Sequence, residues 1–273
     1  PNVITHMLAE ALVKQGYYVF YSRDYQSLIR GGHNFNQLTI SDKQVYSNES
    51  KTDILVCLDE NTYKIHKKEV KRTGIILKDH SENMLYLGSL FKILGLDFKI
   101  LEQELKKLKN FSENLKNARQ GFEKEKTRFK IQDLKRKFEL MNGSQGIAFG
   151  AISSGLDIYF GYPMTPATPI LFELAPLQFK NNFLVLELEN EISVINTAIG
   201  SAITGAKSMV GTSGGGFDLM TEALSETGQA EIPLVIYLAT RPGPSTGLAT
   251  YTGQGDLKLA LNSGHGEFFR LVV

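Results

Sequence analysis

From Gly143 onward the chain alternates short apolar runs with stretches of helical periodicity. The pattern predicts helix 144–154, strand 157–161, helix 166–176, strand 183–188, helix 191–206, strand 207–211, helix 216–228 and strand 233–239. Strands separated by single helices and short links leave little topological choice. Parallel neighbours need a crossover, and the intervening helix supplies it. Runs such as Leu184-Val185-Leu186 and Leu234-Val235-Ile236 are nearly continuous in apolar residues, as strands covered on both faces must be. Pro233 opens the last strand, where no ladder donor is needed. The expected fold class is α/β in two modules, the second a parallel sheet with helices on both faces.

The first module is read over residues 1–101. A helix over 2–15 carries Ile4, Leu8, Ala11 and Leu12 on one face and stops at Gly16. Strands follow at Tyr17–Tyr21, Leu38–Ile40, Ile54–Leu58 and Gly74–Leu77, and a helix from about Glu82 to Leu94 ends at Gly95. The composition then changes: residues 102–138 are rich in Lys, Glu and Gln, with Leu105, Leu108, Leu115, Phe122 and Phe129 at helix-compatible intervals. That stretch is read as a charged helical linker lying across the surface, and 139–273 as the second domain. Charge separates the two halves as well. Residues 139–273 hold 5 Lys/Arg against 12 Asp/Glu, and residues 1–138 hold the other 25 against 17. The basic residues are interleaved with acids, so nucleic-acid binding is not expected. No apolar run approaches the ~18 residues of a membrane span. Cys57, the only cysteine, can neither form an internal disulfide nor hold an iron–sulfur cluster by itself. A cytoplasmic protein is the expectation. The chain starts at Pro1 without Met and stops at Val273 inside an apolar run, so both ends are read as cut.

Four successive strand ends of the second module carry groups that a core does not require. They are Tyr162-Pro163-Met164-Thr165-Pro166, Glu189-Asn190-Glu191, Gly211-Thr212-Ser213-Gly214-Gly215-Gly216 and Arg241-Pro242-Gly243-Pro244-Ser245-Thr246-Gly247. All fall at the carboxyl edge of the expected sheet, where open α/β sheets bind ligands. Each has a bland reading beside the functional one. Thr165 can cap a helix starting at Pro166. Glu191, after a capping Asn190, can be an acid favoured by the helix dipole. Arg241 offers a planar fork for a carboxylate or phosphate, or pairs with a neighbouring acid. The glycine run can cradle an anion at a helix N-terminus, or simply allow tight packing. It also matches the Gly-x-Ser-x-Gly elbow of serine hydrolases, with Ser213 as nucleophile and Asp256 and His265 following in order. Asp256 and His265 lie too close together in sequence for that arrangement, and no oxyanion segment precedes the serine.

Taken in order, these four segments resemble the thiamine-diphosphate-binding alpha subunit of the 2-oxoacid:ferredoxin oxidoreductases, the 2-oxoglutarate type above all. Residues 1–101 resemble the gamma domain fused ahead of it, through Ser22-Arg23-Asp24-Tyr25-Gln26-Ser27-Leu28-Ile29-Arg30-Gly31-Gly32. The resemblance implies that 139–273 is the pyrimidine-binding domain of a thiamine-diphosphate fold. It implies that Glu191 hydrogen-bonds the cofactor's aminopyrimidine ring and so promotes loss of the thiazolium C2 proton, with Pro163 also at the cofactor. It further implies that Thr165, Arg241 and Thr250 contact the 2-oxoacid, Arg241 through the substrate's carboxylate. The implied activity is CoA-dependent oxidative decarboxylation of a 2-oxoacid, expected to be 2-oxoglutarate, with ferredoxin as acceptor. Magnesium, the cofactor's diphosphate and the iron–sulfur cluster are expected in a separate beta subunit, without which this chain is expected to be inactive. Met141-Asn142-Gly143-Ser144-Gln145 departs from the family's usual entry into this domain. Ser27 and Arg30 could serve CoA or only shape a subunit interface. A non-catalytic nucleotide- or anion-binding module, with the glycine run as cradle and Arg241 as clamp, is the alternative from a different class.

Overall fold

The computed structural model describes residues 2–24, 33–78, 82–240, 255–266 and 271. The chain divides into two compact units, Pro1–Leu140 and Met141–Val273.

In the first unit, helix α1 (Asn2–Lys14) leads into strands β1 (Tyr18–Asp24) and β2 (Phe35–Ser41), an antiparallel pair. Strand β3 (Thr52–Val56), helix α2 (Glu60–His66) and strand β4 (Val70–Leu77) form a crossover unit whose strands are parallel. Asp59 starts α2 by accepting from the Thr62 amide at 2.7 Å. Sequence periodicity did not show this short helix. Helices α3 (Asn83–Leu94), α4 (Phe98–Leu105) and α5 (Phe111–Lys124) complete the unit. Its core joins Leu12 of α1, Leu87 and Phe91 of α3, Leu101 and Leu105 of α4 and Ala118 of α5.

The stretch read as a helical linker behaves differently from that expectation. Helix α5 ends at Lys124, and residues 125–142 carry no helix. The amides of Arg128 and Phe129 donate to the Ile93 carbonyl, and that of Leu134 donates to Gln15. Helix α5 meets α3 backbone to backbone. A Cβ at Gly88 would fall 1.8 Å from the Ala118 carbonyl oxygen, and one at Gly121 would fall 1.9 Å from that of Leu85. Two glycines facing each other across helices, not the leucine spacing, set this contact.

Glu104 of α4 is 3% exposed and accepts from both Lys14 and Lys107, the latter at 2.6 Å. Burial alone would raise its carboxyl. The hydrogen bonds and charges of Lys107 and Lys14 outweigh that and hold it below the usual carboxylate range. A depressed carboxylate contributes stability above its unfolded pKa, and the contribution is lost as pH falls through the folded value. Glu104→Gln should therefore cost about 1–3 kcal/mol at neutral pH. The deficit should shrink as acid protonates the wild-type group, measured by denaturant titration across the acid range.

The second unit is α/β with one fully parallel sheet. Helix α6 (Gly143–Ser153) starts in a capping box, Asn142 accepting from the Gln145 amide while the Gln145 side chain accepts from that of Asn142. The order then runs β5 (Ile158–Gly161), α7 (Thr168–Leu174), a short α8 (Gln178–Asn181), β6 (Leu184–Glu187), α9 (Glu191–Ile203), β7 (Ser208–Ser213), α10 (Gly214–Gln229), β8 (Val235–Ala239) and α11 (Asp256–Asn262). The sheet order is β6-β5-β7-β8. Alternate residues on each strand serve opposite faces. Phe160 and Val210 pack with Val194, Ile195 and Ala198 of α9 and Met220 of α10. Tyr159 and Met209 pack with Ala148 of α6 and Ile170, Leu171 and Leu174 of α7. Helices thus cover both faces, as the apolar runs predict. At the edge, β6 keeps Leu184 and Leu186 exposed. No helix among the described residues is long and apolar enough to cross a membrane.

Candidate active site

The carboxyl edge of this sheet is organised around residues 212–216, where β7 passes directly into α10. Ser213 is fully buried, and its hydroxyl donates to the Thr165 carbonyl at 3.3 Å. This ties the loop after β5 to the end of β7. Thr165 is itself exposed, as is Pro163, and the Thr165-Pro166 peptide is cis. The expected cap on a helix starting at Pro166 is not formed. The Met164 carbonyl takes the amides of Ala167 and Thr168 in a turn, and α7 starts two residues later than expected, at Thr168.

Glu191 stands where the sequence places it, in the first turn of α9. Asn190 caps that helix by accepting from the Ser193 amide at 2.9 Å. The neighbouring acid, Glu189, is exposed and takes the Ser193 hydroxyl, which holds its carboxyl below the usual range. Glu191 is instead 6% exposed. Its side chain lies over the start of α10: a Cβ on Gly216 would be 2.7 Å from Glu191 Cγ and 2.2 Å from Thr212 Oγ1. A first-turn acid serving only the helix dipole has no reason to leave water, since burying a carboxylate is costly.

Three glycines of the run have a steric role. Gly211, Gly214 and Gly216 do not stand at positive φ, so backbone freedom is not their purpose. Each makes room for one named group. A Cβ at Gly211 would be 2.0 Å from the Tyr159 hydroxyl, and one at Gly214 would be 2.3 Å from Asp256 Oδ1. Gly216 makes room for Glu191. The glycines therefore admit the chain's own side chains, two of them carboxylates, and carboxylates at both positions of the supposed cradle would repel an anionic ligand. The hydrolase arrangement is not assembled either. His265 Nδ1 pairs with Ser225 Oγ at 3.1 Å. Ser225 lies twelve residues beyond Ser213 on α10, about 18 Å along the axis at ~1.5 Å per residue.

Sequence reasoning missed Asp256 in any role but that triad. It is 5% exposed, and both carboxylate oxygens face Gly214. The helix it opens, Asp256–Asn262, was not among the elements read from the sequence. Arg241 and Thr250 lie outside the described residues; Thr240, at the end of β8, and Gly255 flank that segment. Among the described residues, no group of three or more His, Cys, Asp and Glu side chains could hold a metal ion.

A shielded carboxylate can hold a proton at a ring nitrogen, and the exposed Pro163 and Thr165 stand at the same sheet edge. Residues 149–268 match the family described as pyruvate flavodoxin/ferredoxin oxidoreductase, thiamine-diphosphate-binding. Residues 2–82 match the pyruvate ferredoxin/flavodoxin oxidoreductase family. The chain is 28% identical, over its whole length and 57% of the relative's, to a 2-oxoacid:ferredoxin oxidoreductase subunit alpha from Sulfolobus sp. It is 38% identical, over 48% of its own length and 38% of the relative's, to 2-oxoglutarate synthase subunit KorA from Archaeoglobus fulgidus. Its fold is similar, at a TM-score of 0.82 and 24% identity over 97% of this chain and 54% of that one, to a solved 2-oxoglutarate:ferredoxin oxidoreductase from Magnetococcus marinus. That structure has 2-oxoglutarate, coenzyme A and succinyl-CoA bound. The chain spans a little over half the length of the first of these relatives. Two family models of one enzyme class are thus matched in order, over residues 2–82 and 149–268, and the chain is similar along its whole length to alpha subunits of the 2-oxoacid:ferredoxin oxidoreductases.

Proposed function

We propose that this chain contributes the cofactor-activating and substrate-binding side of a CoA-dependent 2-oxoglutarate:ferredoxin oxidoreductase, acting in the cytoplasm with a beta-type subunit. One observation carries the reading: Glu191 is buried at the carboxyl edge with its side chain packed on Gly216 and Thr212, while Glu189, two residues earlier, is solvated. Thiamine diphosphate, when bound, supplies the electron sink for cleavage beside the substrate carbonyl. Glu191 holds the hydrogen bond at the aminopyrimidine nitrogen. Burial keeps water from competing for that carboxylate. Pro163 would border the ring, and the Thr165 hydroxyl would contact the substrate at its reacting carbonyl. Arg241 and Thr250 take the substrate's carboxylate end. The metal, the diphosphate and the electron-transfer cluster fall to the partner subunit. The second unit serves as the pyrimidine-binding domain and the first as the gamma-type domain.

The test is reconstitution with a beta-type subunit, followed by 2-oxoacid- and CoA-dependent reduction of ferredoxin. A well-formed complex that reduces ferredoxin with no 2-oxoacid would sink the reading. Within an active complex, Arg241→Lys keeps the charge and loses the bidentate fork. Hydrogen bonds to charged groups are worth ~1.5–3 kcal/mol, so the KM for 2-oxoglutarate should rise about tenfold or more. An unchanged KM would remove Arg241 from the site.

A further inference from the structure

Helix α10 begins without a side-chain cap. Its N-cap, Ser213, is extended at φ −130 and ψ 177 and makes no capping hydrogen bond, its hydroxyl being turned to Thr165. The first-turn amides of a helix lack intrahelical partners and form the positive end of its dipole. Two buried carboxylates stand over that turn. Asp256 lies at Gly214, where a Cβ would be 2.3 Å from Oδ1 and 2.9 Å from Oδ2. Glu191 lies at Gly216, with Oε1 3.2 Å from the corresponding position. The segment bearing Asp256 is laid along α10 and fixed again further down, where the His265 amide donates to Ser225 Oγ at 3.1 Å. The segment that carries Asp256 is thus tied to α10 at its far end as well.

We infer that Asp256 is a positioning residue for Glu191: it takes the uncapped amides at the start of α10, which would otherwise capture the Glu191 carboxylate. The inference rests on the assignment of Glu191 to the thiamine ring. Two acids stand over one set of donors, Asp256 at Gly214 and Glu191 two residues further in, at Gly216. With Asp256 seated on Gly214, Glu191 is held by packing against Gly216 and Thr212, and its carboxylate stays available. Without Asp256, Glu191 is the remaining buried carboxylate at that turn and turns inward to it. Such a role predicts a graded response, because asparagine keeps a carbonyl acceptor at the same place and alanine keeps none.

The experiment measures exchange of the C2 proton of bound thiamine diphosphate by quenched deuterium exchange, in the complex with the beta-type subunit. Asp256→Ala should slow exchange by at least about tenfold, and Asp256→Asn by about two- to fivefold, neutral hydrogen bonds being weaker than charged ones. On the isolated chain, hydrogen exchange of the first-turn amides of α10 should accelerate in the Asp256→Ala, Glu191→Ala double variant and much less in Asp256→Ala alone, where Glu191 takes those amides over. A purely structural aspartate would lower the melting temperature in both variants and leave C2 exchange untouched in folded protein. Wild-type C2 exchange in Asp256→Asn overturns the inference even if the alanine variant fails to fold. Slow exchange in Glu191→Gln together with normal exchange in Asp256→Ala overturns this inference alone. Normal exchange in Glu191→Gln overturns it together with the reading of the site.

Discussion

Glu191→Gln in the reconstituted complex should bind thiamine diphosphate and exchange its C2 proton about 10²–10⁴-fold more slowly than the wild type, the usual contribution of positioned general acid–base catalysis. The substitution preserves the shape of the side chain and its contacts with Gly216 and Thr212. What it removes is an anion able to hold a proton at the ring nitrogen. The competing account, an acid favoured only by the dipole of α9, predicts a loss of ~0.3–1 kcal/mol in stability and no kinetic effect. The two accounts differ by orders of magnitude in one observable, so stability and exchange measured on the same variant separate them. Glu189→Gln is the internal control. Glu189 is solvated and bonded to Ser193, so its loss should leave exchange nearly unchanged. A wild-type exchange rate in Glu191→Gln would return Glu191 to the role of a helix-start residue.

How far the sequence could go is visible in this same loop. The Asn190 cap and the first-turn position of Glu191 followed from local chemistry, because a cap is made by residues three apart in the chain. The strand order of the second unit was constrained by the short crossovers. That Glu191 is buried and Glu189 is not could not be read locally. It depends on α10 arriving alongside α9 with a glycine at the meeting point, a contact between residues 25 apart in sequence. Gly88 and Gly121 teach the same lesson in the first unit. The leucine spacing of 102–138 indicated helix, but the close approach of α5 to α3 is written in two glycines 33 residues apart. The glycine run after β7 illustrates the converse error. Its pattern evoked an anion cradle and a nucleophile elbow, and in the fold its glycines accommodate a phenol and two carboxylates.

Gly216→Ala tests that explanation without touching any reacting group. The added methyl would sit 2.2 Å from Thr212 Oγ1 and 2.7 Å from Glu191 Cγ, both closer than side chains tolerate. Something must move, and overpacking of this kind costs about 1–3 kcal/mol. The methyl is barred from relaxing inward, because Gly216 belongs to the first turn of α10, on the end of a fully buried strand. Moving Glu191 Cγ means turning its χ1, which swings the carboxylate off its place over Gly216 and Thr212. A misplacement of ~1 Å at a catalytic group can cost about 10²-fold, so C2 exchange in Gly216→Ala should fall by that order while the protein stays folded. Gly200→Ala on α9 is the control: nothing lies within 4 Å of its Cβ position, so exchange should be normal. Stability there should rise by about 0.5–1 kcal/mol from helix propensity. Adding Thr212→Ala to Gly216→Ala removes the nearer clash and keeps the one with Glu191 Cγ. The double variant should therefore remain slow. Full recovery would mean that Thr212 alone had absorbed the methyl and that Gly216 is not what makes room for the glutamate.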